Sequence, residues 1–251
     1  MIKGVIFDLG GTLMYFDGNW EAMDTQSTLA MIPFLNSHGV RVGDDFPQQF
    51  LATRRAFWKR ADETGFECRT SEALGESLNQ LGYTNTDGWL QQAVDIYFEH
   101  QGQSWLAFPD AHEMLQTLKQ RGTRIGLISN ADDVNLVHRA VHRLGFAPFM
   151  LPVISSAEDP RWRKPDPRIF HRVSDAWQLL PSEIVMVGDS PRYDVLGANR
   201  AGMKAIFIDR GTNMWFQQIP EEMKNDPLIY ADATVQALVE IPQVLDSWRV
   251  G

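Results

Sequence analysis

The chain has 251 residues, 44% of them hydrophobic and 22% charged, which is too apolar for a disordered segment and long enough to build a core without disulfide staples. Lys and Arg number 23 against 32 Asp and Glu, a formal charge of −9, and no local basic cluster offsets it, so neither nucleic acid nor an anionic membrane surface is expected as a partner. The single cysteine, Cys68, can form no intrachain disulfide and has no second thiol for a zinc pattern, which suits a reducing cytoplasm.

Residues 2–9 form a β-branched-rich run that ends at Gly10-Gly11, the pattern of a central strand followed by a tight turn. Asp8 cuts this run before a signal-peptide core can form, and no apolar run approaches the ~20 residues of a membrane span. A soluble cytoplasmic protein, monomeric or homodimeric, is therefore expected. Strand-like runs recur at 124–129, 150–155, 184–188 and 205–208, with helix-like spacing at 110–120, 133–144, 166–179 and 193–201. Such alternation predicts βαβ units, a mainly parallel sheet with helices on both faces, and reactive groups at the carboxyl ends of the strands.

The stretch 19–107 breaks the rhythm. It shows no strand run but four helix-like segments, at 21–37, 47–62, 71–81 and 88–100. An all-helical insertion over 19–107 is predicted, with a core unit made of 1–18 and 108–251. The aromatic residues Trp20, Phe34, Phe50, Phe57, Trp58, Trp89, Tyr97 and Trp105 are expected to form mainly the insertion's own core, with one or two facing a ligand. The segment 233–245 reads as one more helix.

Four segments carry groups suited to chemistry. Asp8 stands at a strand end beside glycines that allow close approach; Ser129-Asn130 ends a second strand; Lys164 precedes a helix start; and Asp189 and Asp194 follow a third strand. Taken singly, each has a milder reading: helix N-terminal carboxylates for Asp189 and Asp194, a surface charge for Lys164, a turn hydroxyl for Ser129. Taken together and in this order, the four segments resemble the motifs of the haloacid dehalogenase superfamily, and the likeness runs over the whole chain.

That resemblance implies a Rossmann-like core under a helical cap, and phosphoryl transfer to a small phosphorylated metabolite through an aspartyl-phosphate intermediate with Mg²⁺. It implies Asp8 as nucleophile, Ser129 and Lys164 as catalytic partners, and Gly11, Thr12, Ser129, Asn130 and Lys164 around the phosphate. The metal would be held by Asp8, the Gly10 carbonyl and Asp189, with Asp194 in support. The charges agree with those roles: a phosphate dianion facing a carboxylate needs cations beside it, and Mg²⁺ takes oxygen ligands.

One position departs from the pattern. The family's phosphatases carry a second aspartate two residues after the nucleophile, as general acid and base; here it is Gly10. Hydrolysis is expected to be slow for poor leaving groups, and if Gly10 holds a positive φ, a side chain there would be strained. Three readings stay open: a slow phosphohydrolase; a dehalogenase-like enzyme with Arg41 holding a carboxylate or halide, or a phosphonatase-like one with Lys59 as Schiff base; and a non-catalytic scaffold. His138 and His142, four residues apart, read as surface histidines, because the sequence supplies no third ligand.

Overall fold

The computed structural model describes residues 1–84, 88–212 and 217–249. At its centre lies β1 (Gly4–Phe7), every residue of which is buried. It pairs in parallel with β4 (Arg124–Ser129) on one side and β6 (Ile184–Gly188) on the other, Val5 facing Ile125 and Val185. β5 (Val153–Ser155), β7 (Lys204–Ile208) and β8 (Ala233–Val235) complete a parallel six-stranded sheet of order β5-β4-β1-β6-β7-β8.

Alternation along the strands sends side chains to two cores. Val5, Phe7, Leu127, Val185 and Val187 meet α5 (Ala111–Gln120), α6 (Val134–Arg143) and α9 (Ile241–Ser247) on one face. Ile6, Ile128 and Met186 meet α7 (Pro167–Trp177) and α8 (Leu196–Arg200) on the other. Helices on both faces are what an all-parallel sheet requires, since neither face can be left wet.

Two strand glycines have a packing reason. A Cβ on Gly4 would lie 2.4 Å from the Trp177 ring, and one on Gly126 would lie 2.9 Å from it; the bare backbones of β1 and β4 make the slot into which that indole fits. Its Nε1 donates to the Leu151 carbonyl at 2.7 Å. Gly4→Ala is expected to lower stability by about 1–3 kcal/mol through overpacking, measurable as a fall in the urea midpoint at constant m-value.

Between β1 and β4 the chain forms β2 (Met14–Phe16), four helices and β3 (Trp105–Ala107). The helices are α1 (Trp20–Ser37), α2 (Phe46–Thr64), α3 (Thr70–Gln80) and α4 (Leu90–Gly102). Asn19 caps α1 by accepting from the Ala22 N–H, and Gly65 ends α2 at φ 72°. Met31, Leu35, Phe46, Phe50, Leu74 and Tyr97 give these helices a core of their own. Of the aromatics in this stretch, Phe50 and Tyr97 lie inside that core and Phe34, Phe57 and Trp89 pack against it.

The structure departs from the sequence reading in three places. Residues 105–107 form a strand, not part of a helix-only insertion, and pair antiparallel with β2, Phe16 opposite Trp105. The strand in 150–155 is only Val153–Ser155. The segment 233–245 is not one helix: Ala233–Val235 extends the sheet beside Ile206–Ile208, and α9 starts only at Ile241. Pro242 sits in the first turn of α9, where its fixed φ and missing N–H are tolerated, whereas an earlier start would place it in the helix interior.

Candidate active site

The strand order reverses about β1, whose neighbours β4 and β6 are reached by separate crossovers, so a crevice opens at the carboxyl ends of these three strands. Asp8 follows β1, Ser129 ends β4 and Asp189 follows β6, all three buried. Lys164 comes from the loop before α7 and is 2% exposed. Its Nζ donates to Asp8 Oδ1 and to Asp194 Oδ1, each at 2.6 Å. The surface-charge reading of Lys164 therefore fails.

The loops around these groups are shaped by small residues. Gly11, at φ 79°, has no room for a Cβ, which would sit 2.0 Å from Asp189 Oδ2. A Cβ on Gly188 would be 2.2 Å from Asp194 Cγ. Asp194 lies in a wide helical turn over Pro191–Val195, and its Oδ2 accepts from the Ser190 N–H at 3.0 Å. Asn130 grips the Lys164 backbone at two points, with its amide donating to the Lys164 carbonyl and accepting from the Lys164 N–H, both at 2.9 Å.

Three carboxylates and one ammonium leave the centre short of positive charge. Burial, then Asp8 and Asp194, hold the Asp189 carboxyl well above its ordinary range, with Gln217 opposing. Asp194 is pushed up to about 6 by burial, against the pull of Lys164. Burial would lower the Lys164 pKa, but Asp194 and Asp8 outweigh it and raise it. Oxygen atoms of Asp8, Asp189 and Asp194 lie within 4.8 Å of one another. Oxygen donors at that spacing, mutually repelling and desolvated, match a hard divalent cation, and the donor set fits Mg²⁺.

Two cavities meet at Asp8 and Gly10. One, of about 330 Å³, opens past Lys164 and Asp189 towards Trp58, Asp62, Arg163 and Tyr193. At its mouth Tyr193 OH donates to Asp62 at 3.0 Å and Arg163 pairs with Asp62 at 3.2 Å. The other, of about 250 Å³, runs under the helical insertion between Trp20, Trp58 and Trp105 and reaches Ser129. Its far wall is a polar network centred on Arg54, which donates to Asp132 from Nε at 2.8 Å and to Tyr97 OH at 2.6 Å.

Not every residue singled out from the sequence faces these cavities. Gly11 and Thr12 line neither, and Thr12 Oγ1 is buried without a hydrogen-bond partner among the described residues. Asn130 reaches both, yet its amide is committed to Lys164. Gly10 is not among the positive-φ residues, and a Cβ there would lie 3.6 Å from Trp105 Cη2, an ordinary contact; the condition under which a side chain would be strained here is not met. Arg41 is exposed and turned to the Asn36 carbonyl, and the Lys59 side chain is 79% exposed beside Glu63, so neither serves as an anion or Schiff-base group here. His138 pairs with Glu158. Arg54, Asp132, Arg163 and Tyr193 carry no such signal in the sequence, since local pattern says nothing of partners tens of residues apart.

A family model described as haloacid dehalogenase-like hydrolase matches residues 2–202. The chain is 29% identical to a phosphoserine phosphatase of Thermus thermophilus over 163 residues, 62% of this chain and 64% of that enzyme. It is 28% identical to (S)-2-haloacid dehalogenase 1 of Pseudomonas sp. strain CBS-3 over 197 residues, 78% of each. Among solved structures, a 2-haloacid dehalogenase from Pseudomonas syringae pv. Tomato superposes with a TM-score of 0.71 at 26% identity, covering 99% of this chain and 100% of that one. Among the described residues no helix is long and apolar enough to cross a membrane.

Proposed function

The chain belongs to the haloacid dehalogenase-like hydrolases, and we propose that it is a Mg²⁺-dependent phosphohydrolase of a small phosphorylated metabolite, with α1–α4 as the cap over its site. The observation that carries this reading is the acidic trio of Asp8, Asp189 and Asp194 around Lys164. Attack on carbon by a lone carboxylate needs no such trio, whereas a phosphate dianion cannot approach three carboxylates unless cations are beside them. Asp8, the Gly10 carbonyl and Asp189 would hold Mg²⁺, with Asp194 fixing Lys164; when bound, the ion supplies charge stabilisation at the phosphoryl oxygens.

In this mechanism Asp8 Oδ attacks phosphorus, the new Asp8–phosphorus bond forms as the ester P–O bond breaks, and the alcohol departs. Water then cleaves the acyl phosphate, regenerating Asp8 and releasing inorganic phosphate. Lys164 orients Asp8 through its 2.6 Å bond, and Ser129 supplies a hydroxyl donor on the cavity side. Gly10 supplies no proton, so the leaving oxygen departs as an anion or takes its proton from water.

A dehalogenase reading draws on Gly10 and on the superposition with a 2-haloacid dehalogenase. It needs a cation to hold the substrate carboxylate; Arg54 lines the cavity beside Asp8, but its guanidinium is already held by Asp132. The discriminating experiment is a panel of phosphorylated metabolites and haloacids, with and without Mg²⁺, using native protein and Asp8→Asn. Phosphate release that requires Mg²⁺ and vanishes in Asp8→Asn supports the proposal; halide release without metal replaces it.

A separate binding prediction concerns the metal alone. Asp189→Asn removes one anionic ligand and is expected to weaken Mg²⁺ binding at least tenfold by calorimetry, the equivalent of about 1.4 kcal/mol. Equal affinity in the variant would remove Asp189 from the ligand set.

A further inference from the structure

The cavity beneath the helical insertion points to the chemistry of the leaving group. Resting on the phosphohydrolase reading, we infer that the substrate is a phosphate ester of an apolar, aromatic-bearing alcohol whose ring lies between Trp20, Trp58 and Trp105.

The cavity starts at the nucleophile: Asp8, Gly10 and Ser129 form one end of it. Leading away, its walls are the three indoles with Phe98, Met14 and Leu136. Trp20 and Trp105 meet edge-to-face at 5.2 Å between centroids, and Phe16 stacks behind Trp20 at 3.9 Å. This packing holds the ring wall in place before any ligand arrives, the preorganised surface that aromatic ligands favour.

The polar side of the cavity does not contradict this, because its groups are engaged with one another. Arg54 donates from Nε and Nη2 to Asp132 and from Nη1 to Tyr97 OH. Asp132 also accepts from Trp58 Nε1 and Thr70 Oγ1, both at 2.7 Å, and Asp24 accepts from Tyr97 and Gln101. A polyol entering here would lose water from each hydroxyl at a cost of roughly 1–3 kcal/mol per unpaired group, while an aromatic ring gives up nothing of the kind.

Size and reactivity agree with the same class. A cavity of ~150 Å³ suffices for benzene, so 250 Å³ takes one ring with its linker or a fused pair. Trp105 stands 3.6 Å from where a Gly10 Cβ would be, so an indole edge occupies the neighbourhood of the missing acid. Where the ring carries the ester oxygen directly, the aryl oxide needs no proton to leave, which is the condition Gly10 imposes. The wall of Met14, Phe98, Trp105, Leu136 and Ala140 is shared with an outer groove of about 390 Å³, so the apolar surface continues beyond the inner chamber.

The test separates ring recognition from leaving-group acidity by pairing benzyl phosphate with glycerol phosphate, whose parent alcohols are of similar acidity. Calorimetry on Asp8→Asn in excess Mg²⁺ is expected to show benzyl phosphate binding at least tenfold more tightly, and native kcat/KM should follow the same order. Trp105→Ala should cut that preference at least threefold. As a measurement free of any variant, benzyl alcohol should inhibit the native enzyme competitively and quench its tryptophan fluorescence. Equal binding, or tighter binding of glycerol phosphate, overturns the assignment even in an enzyme that hydrolyses both esters. Native protein that releases phosphate from neither of these esters nor from phenyl phosphate, whose leaving group needs no proton, overturns the phosphohydrolase reading beneath it.

Discussion

Gly10→Asp is expected to raise kcat/KM for alkyl phosphates by about 10²–10⁴, the usual contribution of a positioned general acid and base, while changing aryl phosphates little. The backbone permits the exchange. Gly10 lies outside the left-handed region, and a Cβ would meet only the Trp105 ring edge at 3.6 Å. Gly11, one residue on, would accept no such change, having φ 79° and Asp189 Oδ2 2.0 Å from the would-be Cβ. The contrast supplies an internal control: Gly11→Asp should damage the site through the clash and through like charge against Asp189. In native protein the slope of log kcat/KM against leaving-group acidity should be steep, and Gly10→Asp should flatten it. An unchanged slope with unchanged alkyl rates would mean that proton supply does not limit the reaction.

How much of the fold and site is legible in the sequence depends on range. β1, β4 and β6 announce themselves as short apolar runs that stop at Asp8, Ser129 and Asp189, because a buried parallel strand must be apolar and its carboxyl end is where polarity returns. The four helices of the insertion show through 3.6-residue spacing. β2 and β3 do not: three residues each, they are too short to display a period, and their pairing joins residues about as far apart as Phe16 and Trp105. Asn130 illustrates the same limit at the site. Its place beside Ser129 suggests a ligand contact, but its hydrogen bonds run to Lys164, a residue 34 positions away. Side-chain chemistry can be read locally; the partner that uses it up cannot.

The other large effect expected is on stability, at Arg54. Arg54 is 4% exposed and its guanidinium reaches Asp132, Tyr97 and Asp24 at once, with Thr70 and Trp58 closing the set around Asp132. The pair ties α2 to the loop after β4, 78 residues apart, so it fastens the helical insertion to the sheet at the edge of the site. Arg54→Met leaves the Asp132 charge buried without its cation and should cost about 3–5 kcal/mol. Arg54→Met with Asp132→Asn leaves no charge stranded, and the double variant should be more stable than Arg54→Met alone. The pH dependence follows from Asp132. Burial would raise its pKa, but the Arg54 charge and hydrogen bonds from Arg54, Thr70 and Trp58 outweigh burial and hold it below the ordinary carboxylate range. A carboxyl whose folded pKa is depressed binds its proton more readily unfolded than folded, so its stabilisation is complete above the unfolded value of ~3.9 and is lost as pH falls through the folded one. Urea titrations from pH 7 to pH 3 should therefore show native protein losing more stability than the double variant, in which this carboxyl is absent. A loss below about 1 kcal/mol in Arg54→Met, the size of an exposed ion pair, would mean that water replaces the guanidinium and that the insertion is held to the sheet by apolar packing alone.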